Sequence, residues 1–244
     1  MTSIALLILI FFVALTYASV GHGGASGYLA VMALLGAAPA SMATSALLLN
    51  LIVAGIACVM FWRRGHGVPR LLWLFVAGSV PAAVLGGSLR LPWHVYEGLV
   101  AFALLVAALR LWFSTPGDLS QIAHPTPLVA TFVGAGIGCF SGMVGIGGGI
   151  FLSPLMVLRR WATLPQSAAI SAGFIMANSI AGLAGRWMTG QCRIGSLLPS
   201  VVAAVIGGTI GSWWGAARLS SQWMRRVLAF VLVIASGRVV LTNG

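Results

Sequence analysis

Charge is what this sequence most lacks. Only 6% of its 244 residues are Asp, Glu, Lys or Arg, against roughly 25% in water-soluble globular proteins. Lysine is absent, and Glu97 and Asp118 are the only acids. Two carboxylates, one near a helix end and one in a polar connection, cannot form the carboxylate pairs of a hydrolase. No Ser-His-Asp set or His-Glu-x-x-His motif can be assembled either. A proton-coupled cycle built on buried carboxylates is not expected on the same ground. Cysteine is scarce too: Cys58, Cys139 and Cys192 show no metal-ligand spacing, which removes a zinc site and a disulfide scaffold. What the chain has instead is 60% hydrophobic residues and a mean hydropathy of +1.06, so its main solvent is the lipid bilayer.

The thirteen basic residues are all Arg and give a formal charge of +11. They stand singly or in pairs at the ends of apolar runs, the pattern of membrane loops. A nucleic-acid footprint would instead cluster on one polar face. Spanning the hydrocarbon takes about 20 apolar residues in a helix, and six runs qualify: 38–62, 69–89, 94–113, 163–188, 195–217 and 223–241. Two more regions, 3–36 and 126–158, are apolar but interrupted by glycine clusters. The run at 3–20 has no basic residue before it, which is unlike a cleaved signal peptide, and is expected to be part of the fold. The polar connection 114–127 divides the chain into a first membrane repeat, 1–113, and a second, 128–244.

The halves resemble each other. Val20-Gly21-His22-Gly23-Gly24 aligns with Val144-Gly145-Ile146-Gly147-Gly148, and Pro39 to Ala46 with Pro165 to Ala172. Ala101-Phe102 with Arg110 aligns with Ala229-Phe230 and Arg238. If each glycine-broken region crosses the membrane once, the repeats are parallel and the Arg residues divide seven to six. If each dips in and returns, the repeats are inverted and the division is nine to four. The positive-inside rule favours the second arrangement, with both termini outside. The expected fold is therefore all-α and polytopic, with two inverted repeats, each a glycine-broken re-entrant helical hairpin followed by three transmembrane helices. Backbone of that kind is tolerated at membrane depth only where protein buries it or it lines a cavity.

Each glycine cluster precedes a helical stretch, so its N–H groups lie at a helix N-terminus, at the positive end of the helix dipole. They suit an anion, and glycine lets an oxyanion approach the backbone without meeting a Cβ. The candidate binding residues are Gly21, His22, Gly23 and Gly24 in the first cluster, and Gly145, Gly147, Gly148 and Gly149 in the second. Thr44, Ser45 and Asn50 in 38–62, with Ser171 and Asn178 in 163–188, are candidate neutral donors. Gln166, Ser167 and Ser179 are further polar residues in the latter run. Each has a structural alternative: glycines permit close helix packing, Ser and Thr bond their own i−4 carbonyls, and Asn bridges helices. His22, replaced by Ile146 in the second cluster, either contacts an anion or its proton or is a satisfied structural histidine. Pro81 and Pro199 are read as matching bends.

The run Gly145-Ile146-Gly147-Gly148-Gly149 with Pro154, then Pro165, Ser171 and Asn178-Ser179, resembles the glycine-rich signature of the sulfite-exporter (TauE/SafE-type) family of bacterial membrane permeases. Gly21-His22-Gly23-Gly24, Pro39 and Thr44-Ser45 form a weaker copy, which departs from the pattern at Ala25 and lacks the following proline. The resemblance covers nearly the whole chain. It implies export of sulfite or small organosulfonate anions across the bacterial inner membrane without a bound cofactor. The expected partners are a small inorganic or organic anion and the lipid bilayer, with a homodimer allowed and nucleic acid excluded. Alternating access around a midplane site is the expected mechanism; an anion channel with the same site and a non-transporting membrane scaffold are its rivals.

Overall fold

The structure is a computed structural model that describes residues 4–35, 39–88, 122–190 and 197–217, together with Trp223 and Arg226. Among the described residues the regular structure is entirely helical: α1 (Ile4–Ala18), α2 (Ala25–Leu34), α3 (Pro39–Arg63), α4 (Pro69–Ser88), α5 (Pro127–Val144), α6 (Gly149–Leu158), α7 (Leu164–Met188) and α8 (Leu198–Ala217). The runs expected at 94–113 and 223–241, and most of the connection at 114–127, lie outside the described residues.

Helix starts follow local chemistry. Pro39, Pro69 and Pro127 open their helices, where a missing N–H costs nothing and φ is already helical. Thr126 caps α5 by accepting from the Val129 N–H, and Thr163 with Gln166 forms a reciprocal capping box on α7. Gln166 thus belongs to the helix end rather than to a binding face. Pro81 lies inside α4 whereas Pro199 is the second residue of α8, so the two do not match.

α3, α4, α7 and α8 are each long and apolar enough to cross a membrane. Their outward faces carry large apolar side chains such as Trp73, Leu85, Leu198 and Trp213. In water such a surface is an aggregation liability; in lipid it is the expected exterior.

The long pair α3 and α7 runs antiparallel through the centre. Trp62 Nε1, late in α3, donates to the Ala169 carbonyl early in α7 at 3.3 Å, while Asn50 Nδ2 donates to Ser179 Oγ at 3.1 Å. On either side of this pair, two helix pairs run parallel and nearly backbone to backbone. Gly134, Gly138 and Gly142 of α5 face the main chain of α4 at Phe75, Ser79 and Ala83. Gly207, Gly211 and Gly215 of α8 face that of α1 at Phe11, Leu15 and Ser19. The four-residue spacing places each glycine triplet on one helix stripe, the small-residue device of membrane bundles.

The interrupted regions double back. Phe140 of α5 meets Phe151 of α6 edge-on at 6.2 Å. The Ala123 N–H, before α5, donates to the Arg160 carbonyl, after α6, at 2.9 Å, so that hairpin enters and leaves at one end. In the first hairpin Tyr17 Oη and Ser26 Oγ hydrogen-bond at 2.9 Å across the turn.

Candidate functional site

Both hairpin turns are built on left-handed glycines. Gly21 and Gly24 have φ of 76° and 95°, and Gly145, Gly147 and Gly148 have 80°, 79° and 77°, a region closed to most side chains. Gly145 ends α5, its N–H donating to the Ser141 carbonyl at 2.8 Å, and Gly148 immediately precedes α6 with no side-chain cap. The N–H groups of Gly23, Gly24, Gly147, Gly148 and Gly149 make no hydrogen bond among the described residues.

The turns meet at Asn50, which is 1% exposed. Its Oδ1 accepts from the Ala25 N–H at 3.1 Å, capping the start of α2, while its Nδ2 donates to Ser179 Oγ and, at 3.5 Å, to the Ile146 carbonyl of the other turn. A Cβ added at Gly23 or Gly147 would run into this same carboxamide. One side chain of α3 therefore joins both interruptions and the middle of α7. It also takes up one amide that the sequence pattern suggested was open to a ligand.

Beside Asn50 lies a cavity of about 10 Å³ lined by Tyr17, His22, Gly23, Gly24 and Ile146, with Ile150 and Ile175 on its apolar side. That is room for about one water molecule. The lining contains no Arg, Asp or Glu. His22, 2% exposed, bonds the Val20 carbonyl through Nδ1 at 3.0 Å, and its Nε2 has no partner.

The other expected residues separate into two groups. Ser171 is buried and bonds Ser153 of α6 at 2.6 Å, and Ser167 donates to the Ser153 carbonyl at 3.3 Å, so these hydroxyls join α6 to α7. Thr44 and Ser45 are buried on α3 but do not line the cavity. Gly21 packs against the Ala168 main chain, Gly145 against Ala43 and Leu47, Gly148 against Ile137 and Phe174, and Gly149 against Ile175. Asn178, 1% exposed on α7, has neither Oδ1 nor Nδ2 hydrogen-bonded among the described residues. Buried carboxamides are rarely left so. Ser179, one residue on, is a partner of Asn50 that no feature of the sequence sets apart from its neighbours. Tyr17, the aromatic wall of the cavity, carried no sequence signal.

The profile of the sulfite exporter TauE/SafE family matches residues 6–239. A probable membrane transporter protein, y4hK, from Sinorhizobium fredii (strain NBRC 101917 / NGR234) is 37% identical over 242 residues, covering 96% of each chain. No solved structure matches the chain.

Proposed function

The chain belongs to the sulfite exporter TauE/SafE family and is a multi-pass membrane transporter, not an enzyme; on that premise we propose that it exports small sulfur-containing anions, sulfite or organosulfonates, across the bacterial inner membrane by alternating access. The observation that carries this reading is the convergence of two glycine turns on Asn50, with open main-chain amides beside a cavity. Interrupted helices that face one another are how inverted-repeat transporters build midplane sites. The main-chain donors of the site are the open amides of Gly23, Gly24, Gly147, Gly148 and Gly149, with Asn178 as a side-chain donor, while Asn50, Gly21 and Gly145, whose N–H groups already have partners, hold the two turns in place around His22. Thr44, Ser45 and Ser171 support them from the helices behind.

The antiparallel α3–α7 pair supports an inverted relation between the repeats, since parallel repeats would set equivalent helices running the same way. Arg63, Arg64 and Arg70 then share one end with Arg159 and Arg160, because the end of α3 lies by the start of α7. This is the cytoplasmic end. The bodies that move are not the repeats themselves. Glycine stripes lock α5 of the second repeat to α4 of the first, and α8 to α1, so rocking takes place between these exchanged pairs about α3 and α7.

The test is reconstitution of the whole chain in liposomes with sulfite, organosulfonates, sulfate and thiosulfate, measuring saturable flux and counter-transport. Saturable exchange of a sulfur anion is expected. Channel-like conductance would overturn the alternating-access mechanism, and movement of none of the panel would overturn the substrate assignment.

A further inference from the structure

The cavity at the first turn is not lined by donors alone. A carbonyl oxygen only accepts hydrogen bonds, so the contact between His22 Nδ1 and the Val20 carbonyl at 3.0 Å puts the proton on Nδ1. In the neutral ring, Nε2 is then a lone-pair acceptor. It is buried, lines the cavity and has no hydrogen-bond partner among the described residues; the Gly149 main chain lies close by, outside hydrogen-bond geometry. Beside it the Gly23 and Gly24 amides are open donors. Among the described residues the titratable groups nearest the ring are the phenols of Tyr17 on α1, which lines the cavity, and Tyr28 on α2, beside Gly24; α3 contributes Asn50, and α6 and α7 contribute Ile150 and Ile175, and no charged side chain among the described residues lines it.

A fully ionised oxyanion offers acceptors only and would set an oxygen against the Nε2 lone pair. A singly charged oxyanion that retains one O–H satisfies both kinds of group: its oxygens accept from the amides and its hydroxyl donates to Nε2. Resting on the anion-export reading above, we propose that the site selects hydrogen oxyanions, with His22 as the residue that recognises the ligand's O–H. Among sulfur anions this favours hydrogensulfite over sulfate and the sulfonates, which carry no O–H at neutral pH. The cavity admits only a water-sized group, so a whole anion enters once the two turns part at Asn50.

Two probes of like size and charge isolate the hydroxyl: methanesulfonate, and methylphosphonate at a pH where it carries one negative charge and one P–OH. Binding is measured by calorimetry on the purified full chain. The singly charged phosphonate should bind about tenfold more tightly, the worth of one added hydrogen bond. His22→Phe should bring the ratio to about one, whereas His22→Gln, which keeps an acceptor oxygen, should retain most of it. Methanesulfonate binding as tightly as the phosphonate in the wild type, or an unchanged ratio in His22→Phe, overturns the role of His22 and leaves the anion site standing. If His22→Phe does not fold, the wild-type ratio and its loss or retention in His22→Gln decide. If neither probe binds and sulfite does not move in liposomes, the anion-site reading itself fails.

Discussion

Removing the Asn50 side chain tests the junction of the two turns most directly. Asn50→Ala deletes the bonds to the Ala25 N–H, Ser179 Oγ and the Ile146 carbonyl. Hydrogen bonds between helices in a membrane protein are worth about 0.6 kcal/mol on average and at most about 1.7. Leaving a buried N–H or C=O without a partner adds about 1–3 kcal/mol. The single change should therefore cost about 2–4 kcal/mol of unfolding free energy, whereas Ser179→Ala, which touches one of the three bonds, should cost about 1 kcal/mol. Because the two residues share a bond, the double variant should be less destabilised than the sum by about 0.6–1.7 kcal/mol. Reversible unfolding of the full chain in mixed micelles measures all four corners of the cycle. Anion flux in liposomes should fall more than tenfold in Asn50→Ala and less in Ser179→Ala. Additivity within about 0.3 kcal/mol would refute the Asn50–Ser179 bond, and unimpaired flux in Asn50→Ala would refute the claim that Asn50 unites the turns.

Two glycines on neighbouring stripes of α5 should respond with opposite sign. Gly136 faces open space and Gly138 the Ser79 backbone, so Gly136→Ala should stabilise by about 0.5–1 kcal/mol through helix propensity, and Gly138→Ala should destabilise by about 1–3 kcal/mol through overpacking; thermal unfolding of the purified variants distinguishes them. Asn178→Leu keeps the branched shape of the side chain but removes two unpartnered polar atoms. It should leave stability unchanged or raise it by about 1 kcal/mol while lowering anion flux, and unchanged flux would remove Asn178 from the site. After replacement of the native cysteines, a short cross-link between Leu74→Cys on α4 and Thr131→Cys on α5, which join at 3.2 Å, should leave transport intact. One between Gly55→Cys on α3 and Met176→Cys on α7 should abolish it.

Helix extents were readable because they depend on local signals. Apolar length and an opening proline set the run 38–62 within one residue of α3 at each end, and 69–89 within one residue of α4. The Thr163-x-x-Gln166 capping box and the four-residue glycine spacing of α5 and α8 are equally local. Both are visible in the sequence once helix ends and packing, rather than binding, are considered. Convergence was not readable. That Asn50 lies against both turns depends on where α3 crosses α7, and that crossing is set by Trp62 against Ala169 and Gly55 against Met176, more than 100 residues apart in the chain. The partner of Ser171 was hidden for the same reason: only the fold places Ser153 within reach of its hydroxyl.

The duplicated turns are unequal where it matters chemically. In the first, the Ala25 N–H is taken by Asn50 and the ring at position 22 presents a lone pair; in the second, Ile146 stands at the equivalent place, and the amides of Gly147, Gly148 and Gly149 meet no side-chain acceptor. Open amides therefore stand on both sides, Gly23 and Gly24 before α2 and Gly147 to Gly149 at the start of α6, whereas the side-chain acceptor stands only on the α2 side. A ligand carrying both negative oxygens and a hydroxyl fits this pair in one orientation, oxygens toward the second turn and hydroxyl toward the first. Two identical turns would have placed a side-chain acceptor on both sides or on neither and left the orientation undetermined. The departure of the first cluster from strict glycine repetition, with His22 at its centre, is thus a chemical difference between the repeats rather than erosion of one of them.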